Sequence, residues 1–229
     1  MQAVILAAGR GTRMRELTDN MPKPLLEVDG KTLLHHKLEE LPESIDEVIF
    51  IIGYQGTQIR NAFGDEEGGR KITYIEQDTL DGSAGALWQA KDVLTGRFVV
   101  MMGDDLYGRE DIERAAESQD WVIGVSESMI GGKMVFDEHN AVIGIEEGKH
   151  SEPALTSTNL FGLDTRVFDF PMVPKSEGSD EYGLPQTVLA ASIASGIPLR
   201  AQQATFWLQV GTPEDLPVAE QELRVRKSN

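Results

Sequence analysis

The sequence predicts an α/β fold built on a mostly parallel central sheet. Three observations carry that prediction. Val4–Leu6, Val48–Ile52 and Phe98–Met102 are apolar throughout, as strands covered on both faces should be. Segments of helical spacing stand between such runs, and strand, helix, strand, helix, strand in succession signals right-handed crossovers in a parallel sheet. The first run leads directly into a small-residue turn, Ala7-Ala8-Gly9-Arg10-Gly11, of the kind that lets an anion reach backbone N–H groups.

That turn carries the strongest signal in the chain. Arg10, Arg13, Arg15 and Lys23 place four cations between positions 10 and 23 of a chain whose net charge is −17. A polyphosphate fits such a local reversal of sign. Two familiar phosphate loops are excluded: a P-loop needs Lys-Ser or Lys-Thr after its last glycine, whereas Gly11 precedes Thr12-Arg13. A dinucleotide fingerprint needs a third glycine where Met14 stands.

After the turn, Leu34, Leu38 and Leu41 repeat at helical spacing within 31–41. His35 and His36 on that helix point about 100° apart, so they cannot share a metal, and solvated or capping roles are expected. Val48–Ile52 is the second strand, Thr57–Phe63 a short helix and Ile72–Glu76 the third strand. Gln77 follows, offering a donor and an acceptor in one plane, as the edge of a nucleobase requires. Gly82 and Ser83 then open a helix where a base can lie close to the backbone. The strand 98–102 ends in Gly103-Asp104-Asp105, and a carboxylate just past a central strand's carboxyl end lies where α/β sheets bind ligands. Mg²⁺ takes carboxylate and phosphate oxygens, so Asp104 can hold the ion against a triphosphate.

From Trp121 the pattern changes to short strands, frequent glycines and fewer helices. Lys133–Asp137 and Val142–Glu146 read as a hairpin. Thr158 or Asn159 can hydrogen-bond a sugar hydroxyl or merely satisfy a turn. Leu184–Ser195 has helical spacing and Leu199–Gln203 returns to strand. Thr212 is the expected N-cap of a last helix, with Pro213 at its first position and Leu216, Ala219 and Leu223 on one face.

The string LAAGRGTRM followed by Lys23-Pro24-Leu25 resembles the signature of the sugar-1-phosphate nucleotidylyltransferases, which make nucleotide sugars. The resemblance implies a three-layer Rossmann-like nucleotidyltransferase fold of the GT-A kind, with a nucleotide-binding half at about 1–120 and a smaller acceptor-binding lobe at about 121–229. It implies that Leu6, Ala7, Ala8 and Gly9 line the nucleoside, that Gly11, Thr12 and Arg13 hold the phosphates, and that Lys23 faces the reacting phosphoryl group. Gln77, Gly82 and Ser83 correspond to the family's base-binding element, and Gly103 and Asp104 to its nucleotide and metal positions. Gly132 and Glu147 match sugar-contacting positions, with Thr158 or Asn159 beside them. The lysine that should follow Glu147 is displaced to Lys149. The family's second metal ligand, an aspartate in Trp-x-Asp-x-Gly-Thr, is Gln209 here, which implies weaker binding of the Mg²⁺ cofactor to the free protein. Arg13, Lys23 and Asp104 become the expected catalytic residues, UTP or dTTP the favoured nucleotide and a sugar 1-phosphate the acceptor.

Composition bounds the alternatives. At 229 residues the chain reads as one domain, without the hexapeptide repeats of a C-terminal β-helix. Its dispersed acidity, with a pI near 4.6, disfavours nucleic acid and anionic lipid and suits solubility, including in a salty cytoplasm. The absence of cysteine removes disulfides, thiolate metal sites and a cysteine nucleophile, and with no stretch near ~20 apolar residues it leads to the expectation of a cytoplasmic protein off the membrane. A homo-oligomer is compatible with the sequence, which carries no signal either way. Three other readings remain: a regulatory binding homologue of the same fold, a cytidylyltransferase acting on phosphocholine, and a glycosyltransferase using Gly-Asp-Asp, which the arginine loop disfavours.

Overall fold

The computed structural model describes residues 1–228, the side chains of Lys149 and Ser228 excepted. In chain order the elements are β1 (Gln2–Ala7), β2 (Glu27–Val28), β3 (Lys31–Thr32), α1 (Leu33–Glu40), β4 (Glu47–Ile52), α2 (Gly56–Phe63), β5 (Glu66–Glu67), β6 (Arg70–Glu76), α3 (Ser83–Trp88) and β7 (Arg97–Met102). There follow β8 (Asp105–Tyr107), α4 (Arg109–Glu117), β9 (Trp121–Ile130), β10 (Lys133–Phe136), β11 (Val142–Glu146), β12 (Lys149–Asp164), α5 (Leu184–Ser195), β13 (Leu199–Gln203), β14 (Trp207–Gln209) and α6 (Asp215–Ser228).

The core is a ten-stranded mixed sheet in which β7, β1, β4 and β6 lie side by side and parallel. Alternation along β1 makes three layers. Val4 and Leu6 face a cluster with Ala84 and Leu87 of α3 and Leu184 and Val188 of α5. Ala3, Ile5 and Ala7 face the opposite cluster, with Leu34 and Leu38 of α1, Ile59 of α2 and Ile112 of α4. A third cluster joins Ala219 and Leu223 of α6 to Leu106 and Val210. None of the described helices is long and apolar enough to cross a membrane.

Beyond Trp121 two strands are longer than the sequence pattern implied, while β10, β11, β13 and β14 keep to three to five residues. β9 has 10 residues and β12 has 16, and β12 runs antiparallel to β7 from Phe161 to Asp164. The two halves therefore share one sheet. Glycines at 124 and 162 obscured this: a Cβ at Gly162 would lie 2.1 Å from the Ala115 carbonyl oxygen, so that glycine lets α4 settle on the strand. The predicted hairpin is present as β10 and β11, paired from Lys133–Glu146 to Phe136–Val142.

Two smaller expectations are corrected. His36 is buried, with Nε2 2.7 Å from the Val28 carbonyl oxygen, and His35 lies against the Phe63 ring while its N–H donates to Thr32 Oγ1. The helix α6 starts at Asp215 rather than after Thr212: the Asp215 carboxylate accepts the N–H groups of Gly211 and Thr212 and the Thr212 hydroxyl, so Thr212 donates instead of capping.

Candidate active site

The carboxyl ends of β1, β4, β6 and β7 meet along one edge of the sheet, and their outgoing turns are stitched together. Gly103 N–H donates to Leu6 O at 2.8 Å, Tyr54 N–H to Ala8 O at 3.0 Å and Gln77 N–H to Ile52 O at 2.8 Å. A Cβ at Gly103 would stand 2.9 Å from Leu6 O, so glycine is what lets the Asp104 turn lie against the β1 loop.

Within that loop Gly11 adopts φ +64°, and the chain turns back so that Lys23 is packed under it at 4% exposure. Lys23 Nζ donates to Asp104 Oδ2 at 2.6 Å. The two most informative motifs thus converge on one ion pair. The other cations divide: Arg10 lies 5.4 Å over the Tyr54 ring, Arg15 pairs with Glu214 at 3.3 Å, and Arg13 reaches the wall of a cavity of about 580 Å³.

Three cavities open around this pair. A small one of about 80 Å³ is lined by Leu6, Ala7, Gly9, Gly11, Lys23 and Asp104. One of about 240 Å³ lies against Leu6, Ala8, Gly9, Arg10, Gln77, Gly82 and Ser83. The third, about 580 Å³, spans Arg13, Asp104, Gly132, Glu147, Asn159 and Gln209. Met102 lines all three, so they are bays of one groove; Lys23 and Asp104 both line the small bay, Asp104 also lines the largest of the three, and the small bay shares Leu6 and Gly9 with the 240 Å³ one.

Most of the expected site residues therefore share one surface. Thr12 is exposed on the turn and Gly103 is a packing position, and neither lines a bay. Thr158 is buried with its hydroxyl facing β9, where a Cβ at Gly124 would come within 2.4 Å of it; Asn159, at φ +57°, is the member of the pair on the cavity wall. Lys149 lies outside the described side chains.

Around Gln77 the donors are already committed. Both amide hydrogens are used, one on Asp81 Oδ1 at 2.9 Å and one on Gly82 O at 3.2 Å. Gly82 has φ +101° and a Cβ there would sit 2.3 Å from Tyr182 O, while Ser83 Oγ accepts the Leu184 N–H. The wall formed by Gln77, Gly82 and Ser83 is thus braced by the segment that opens α5.

The 580 Å³ bay has wall residues the sequence did not single out. Glu147 Oε1 accepts from Gln186 Nε2 at 2.6 Å, tying the β11–β12 turn to α5. Lys175 lines this bay and stands 3.6 Å from Glu181. Trp207 lines it too, donating Nε1 to Asp105 Oδ2 at 3.2 Å. Below them Lys37 is 1% exposed and donates to the Asp105 carbonyl oxygen. Burial pushes the Asp105 carboxyl up, reinforced by the Asp104 charge, and pushes the Lys37 ammonium down against the opposing pull of both carboxylates. Helical spacing from Leu33, Leu34 and Leu41 puts Lys37 on the apolar stripe, which was the signal available for it.

The donor set suits a hard cation. Asp104 offers carboxylate oxygen and Gln209 an amide oxygen, and among the described residues no group of three His, Cys, Asp or Glu could form a protein cage. Such a sparse oxygen set matches an ion that keeps waters and phosphate oxygens as its other ligands.

Comparison with known proteins gives this geometry a context. The family model described as Nucleotidyl transferase matches residues 2–225. The chain is 31% identical over 240 residues to the UTP–glucose-1-phosphate uridylyltransferase AglF of Haloferax volcanii, covering 98% of this chain and 97% of that protein. It is 28% identical over 223 residues to the bifunctional protein GlmU of Methanocaldococcus jannaschii, covering 94% of this chain but spanning only 52% of that protein. Among solved structures, a Bacillus anthracis protein assigned as a glucose-1-phosphate thymidylyltransferase superposes with TM-score 0.83 at 24% identity, over 98% of this chain and 95% of that one. The inositol-1-phosphate CTP transferase of T. maritima superposes with TM-score 0.76 at 20% identity, over 97% and 94% of the two chains.

Proposed function

The chain belongs to the nucleotidyl transferase family, and from that premise we propose that it transfers a nucleoside monophosphate from UTP or dTTP to a sugar 1-phosphate, releasing pyrophosphate. The observation that carries the reading is the Lys23–Asp104 pair in the small bay under the β1 loop, which shares Leu6 and Gly9 with the bay beside Gln77 and Asp104 with the larger polar one. The uridylyltransferase AglF, similar along nearly its whole length, supports the substrate class.

In the reaction a phosphate oxygen of the acceptor forms a bond to the α-phosphorus as the bond from that phosphorus to the β-phosphate bridging oxygen breaks. The electron pair leaves with pyrophosphate. A phosphate monoester is already an anionic nucleophile, so the protein needs no general base; its task is to align two anions and offset their charge. Arg13 offsets the departing pyrophosphate and Lys23 the transferring phosphoryl group. Gly9 and Gly11 keep side-chain bulk away from the phosphates. Asp104, with Gln209 across the bay, would hold Mg²⁺, which supplies charge neutralisation between donor and acceptor oxygens when bound.

The base preference rests on the similarity to AglF, and Gln77 is compatible with it. With both amide hydrogens engaged, its remaining group is the acceptor Oε1, which suits the N3–H of uracil or thymine, while the N4 amino group of cytosine or the N1–H of guanine can donate to it as well. On the acceptor side, Glu147, Gln186 and Asn159 are suited to hydroxyl groups, and this favours a sugar over phosphocholine, whose quaternary ammonium has no hydrogen to donate.

Pyrophosphate release tests the proposal directly, with UTP, dTTP, CTP, ATP and GTP each set against several sugar 1-phosphates and phosphocholine in the presence of Mg²⁺. Release is expected with UTP or dTTP and a hexose 1-phosphate. Nucleotide binding without release in any pairing would favour a regulatory homologue, and release from CTP with phosphocholine would replace the proposed acceptor.

A further inference from the structure

The transfer chemistry leaves one costly side chain unused. Lys37 is buried to 1% exposure on the apolar stripe of α1, where a leucine or methionine would pack without desolvating a charge. Its ammonium donates to the main-chain oxygen of Asp105 and stands 5.0 Å over the Tyr107 ring. Those two residues and their register partners, Gln209 opposite Asp105 and Trp207 opposite Tyr107, share one face of the β8–β14 ribbon. The same network reaches the sheet: Tyr107 OH donates to Thr158 O at 2.8 Å and accepts the Met102 N–H at 3.4 Å.

We propose that Lys37 is a positioning residue: from the rigid helix α1 it grips the Asp105 peptide, fixing the turn that carries Asp104 and, through the paired strand, Gln209. Asp104 is the neighbour of the gripped peptide, and its carboxylate is what Lys23 must meet at 2.6 Å. β8 is only three residues long and β14 likewise, so the ribbon has little pairing of its own to hold that geometry. A charged donor from below supplies the missing constraint, and Trp207 Nε1 on Asp105 Oδ2 locks the second strand to the first. This inference rests on the transferase reading for its kinetic consequence and on geometry alone for its effect on metal binding.

The test is Lys37→Met, which keeps the volume and removes the donor. Mn²⁺ serves as the metal probe, its binding followed by electron paramagnetic resonance with UTP present, beside kcat, KM and the thermal midpoint. The Mn²⁺ dissociation constant is expected to rise ~10-fold and kcat to fall ~10–100-fold, the usual reach of a partner that orients a ligand, with UTP affinity measured in EDTA unchanged. A folded Lys37→Met protein with wild-type Mn²⁺ binding and kcat would overturn the proposal, as would a lower thermal midpoint with Mn²⁺ binding untouched. Should the methionine variant fail to fold, Lys37→Arg keeps charge and donors at a different reach; a smaller shift in the same direction supports the role and wild-type values refute it. Wild-type protein that binds Mn²⁺ and UTP but releases no pyrophosphate with any acceptor would defeat the transferase reading, while the Mn²⁺ comparison would still decide the role of Lys37.

Discussion

Lys23 Nζ and Asp104 Oδ2 lie 2.6 Å apart although 81 positions separate them in the chain. The lysine is almost fully buried and the aspartate side chain about a quarter exposed, so the pair is partly shielded from water. Removing either member leaves the other short of a partner where the proposed reaction places the phosphates. Lys23→Ala is expected to lower kcat by ~10²–10³ while costing about 1–3 kcal/mol of stability. Steady-state kinetics with a parallel urea titration check both, and wild-type turnover would reject the role.

Gln209 sits directly across the strand pair from Asp105 on the wall that holds Asp104. An amide oxygen can coordinate Mg²⁺ but brings no charge, so Gln209→Asp is expected to lower the Mg²⁺ concentration for half-maximal activity several-fold, roughly the effect of one added charge at close range. A titration of rate against Mg²⁺ decides it; an unchanged curve would show that the position does not touch the ion.

Glu147 and Gln186 brace the far bay through a 2.6 Å hydrogen bond. Gln186→Ala should raise KM for the acceptor ~10-fold and leave KM for the nucleotide unchanged, the signature of binding lost on one substrate only. Equal changes in both constants would show a general loosening instead.

Gly82→Ala introduces a methyl group 2.3 Å from the Tyr182 carbonyl oxygen at φ +101°. The expected cost is about 1–3 kcal/mol, with a raised KM for the nucleotide because the Gln77 wall moves with it. Thermal unfolding and nucleotide titration provide the check.

Asp164 holds Arg166 and accepts Trp121 Nε1 at 3.0 Å, and these contacts, Arg166 foremost, hold its carboxyl down at about 2 against an ordinary 3.8. A depressed carboxyl contributes stability that is fully present above about pH 4 and is lost as pH falls through about 2. Asp164→Asn should therefore cost about 1–2 kcal/mol near neutrality, and the gap between variant and wild type should close near pH 2. Urea titrations at both pH values measure it.

Much of the surface proposed for the nucleotide was legible because its signals are local. A buried strand, a small-residue turn and clustered cations are contiguous, and Gln77, Gly82 and Asp104 each follow a strand end. The acceptor side was harder to read. Whether Thr158 or Asn159 faces the cavity depends on the φ +57° twist at Asn159, which no spacing rule foresees. Gln186 and Lys175 reach the bay only because α5 and the segment before it fold back over α3. The length of β9 and β12 was hidden by glycines that serve close packing rather than turns. Lys37 was readable from the helical stripe, but its purpose required seeing which peptide it holds.

The central claim is that the β1 loop, Lys23 and Asp104 together form the seat of the triphosphate. A crystal structure of the protein with Mg²⁺ and a non-hydrolysable UTP analogue tests it most directly. Phosphates against Gly9, Gly11, Arg13 and Lys23, with the base over Gln77, is the predicted result; phosphates bound elsewhere, with that cradle empty, would contradict it.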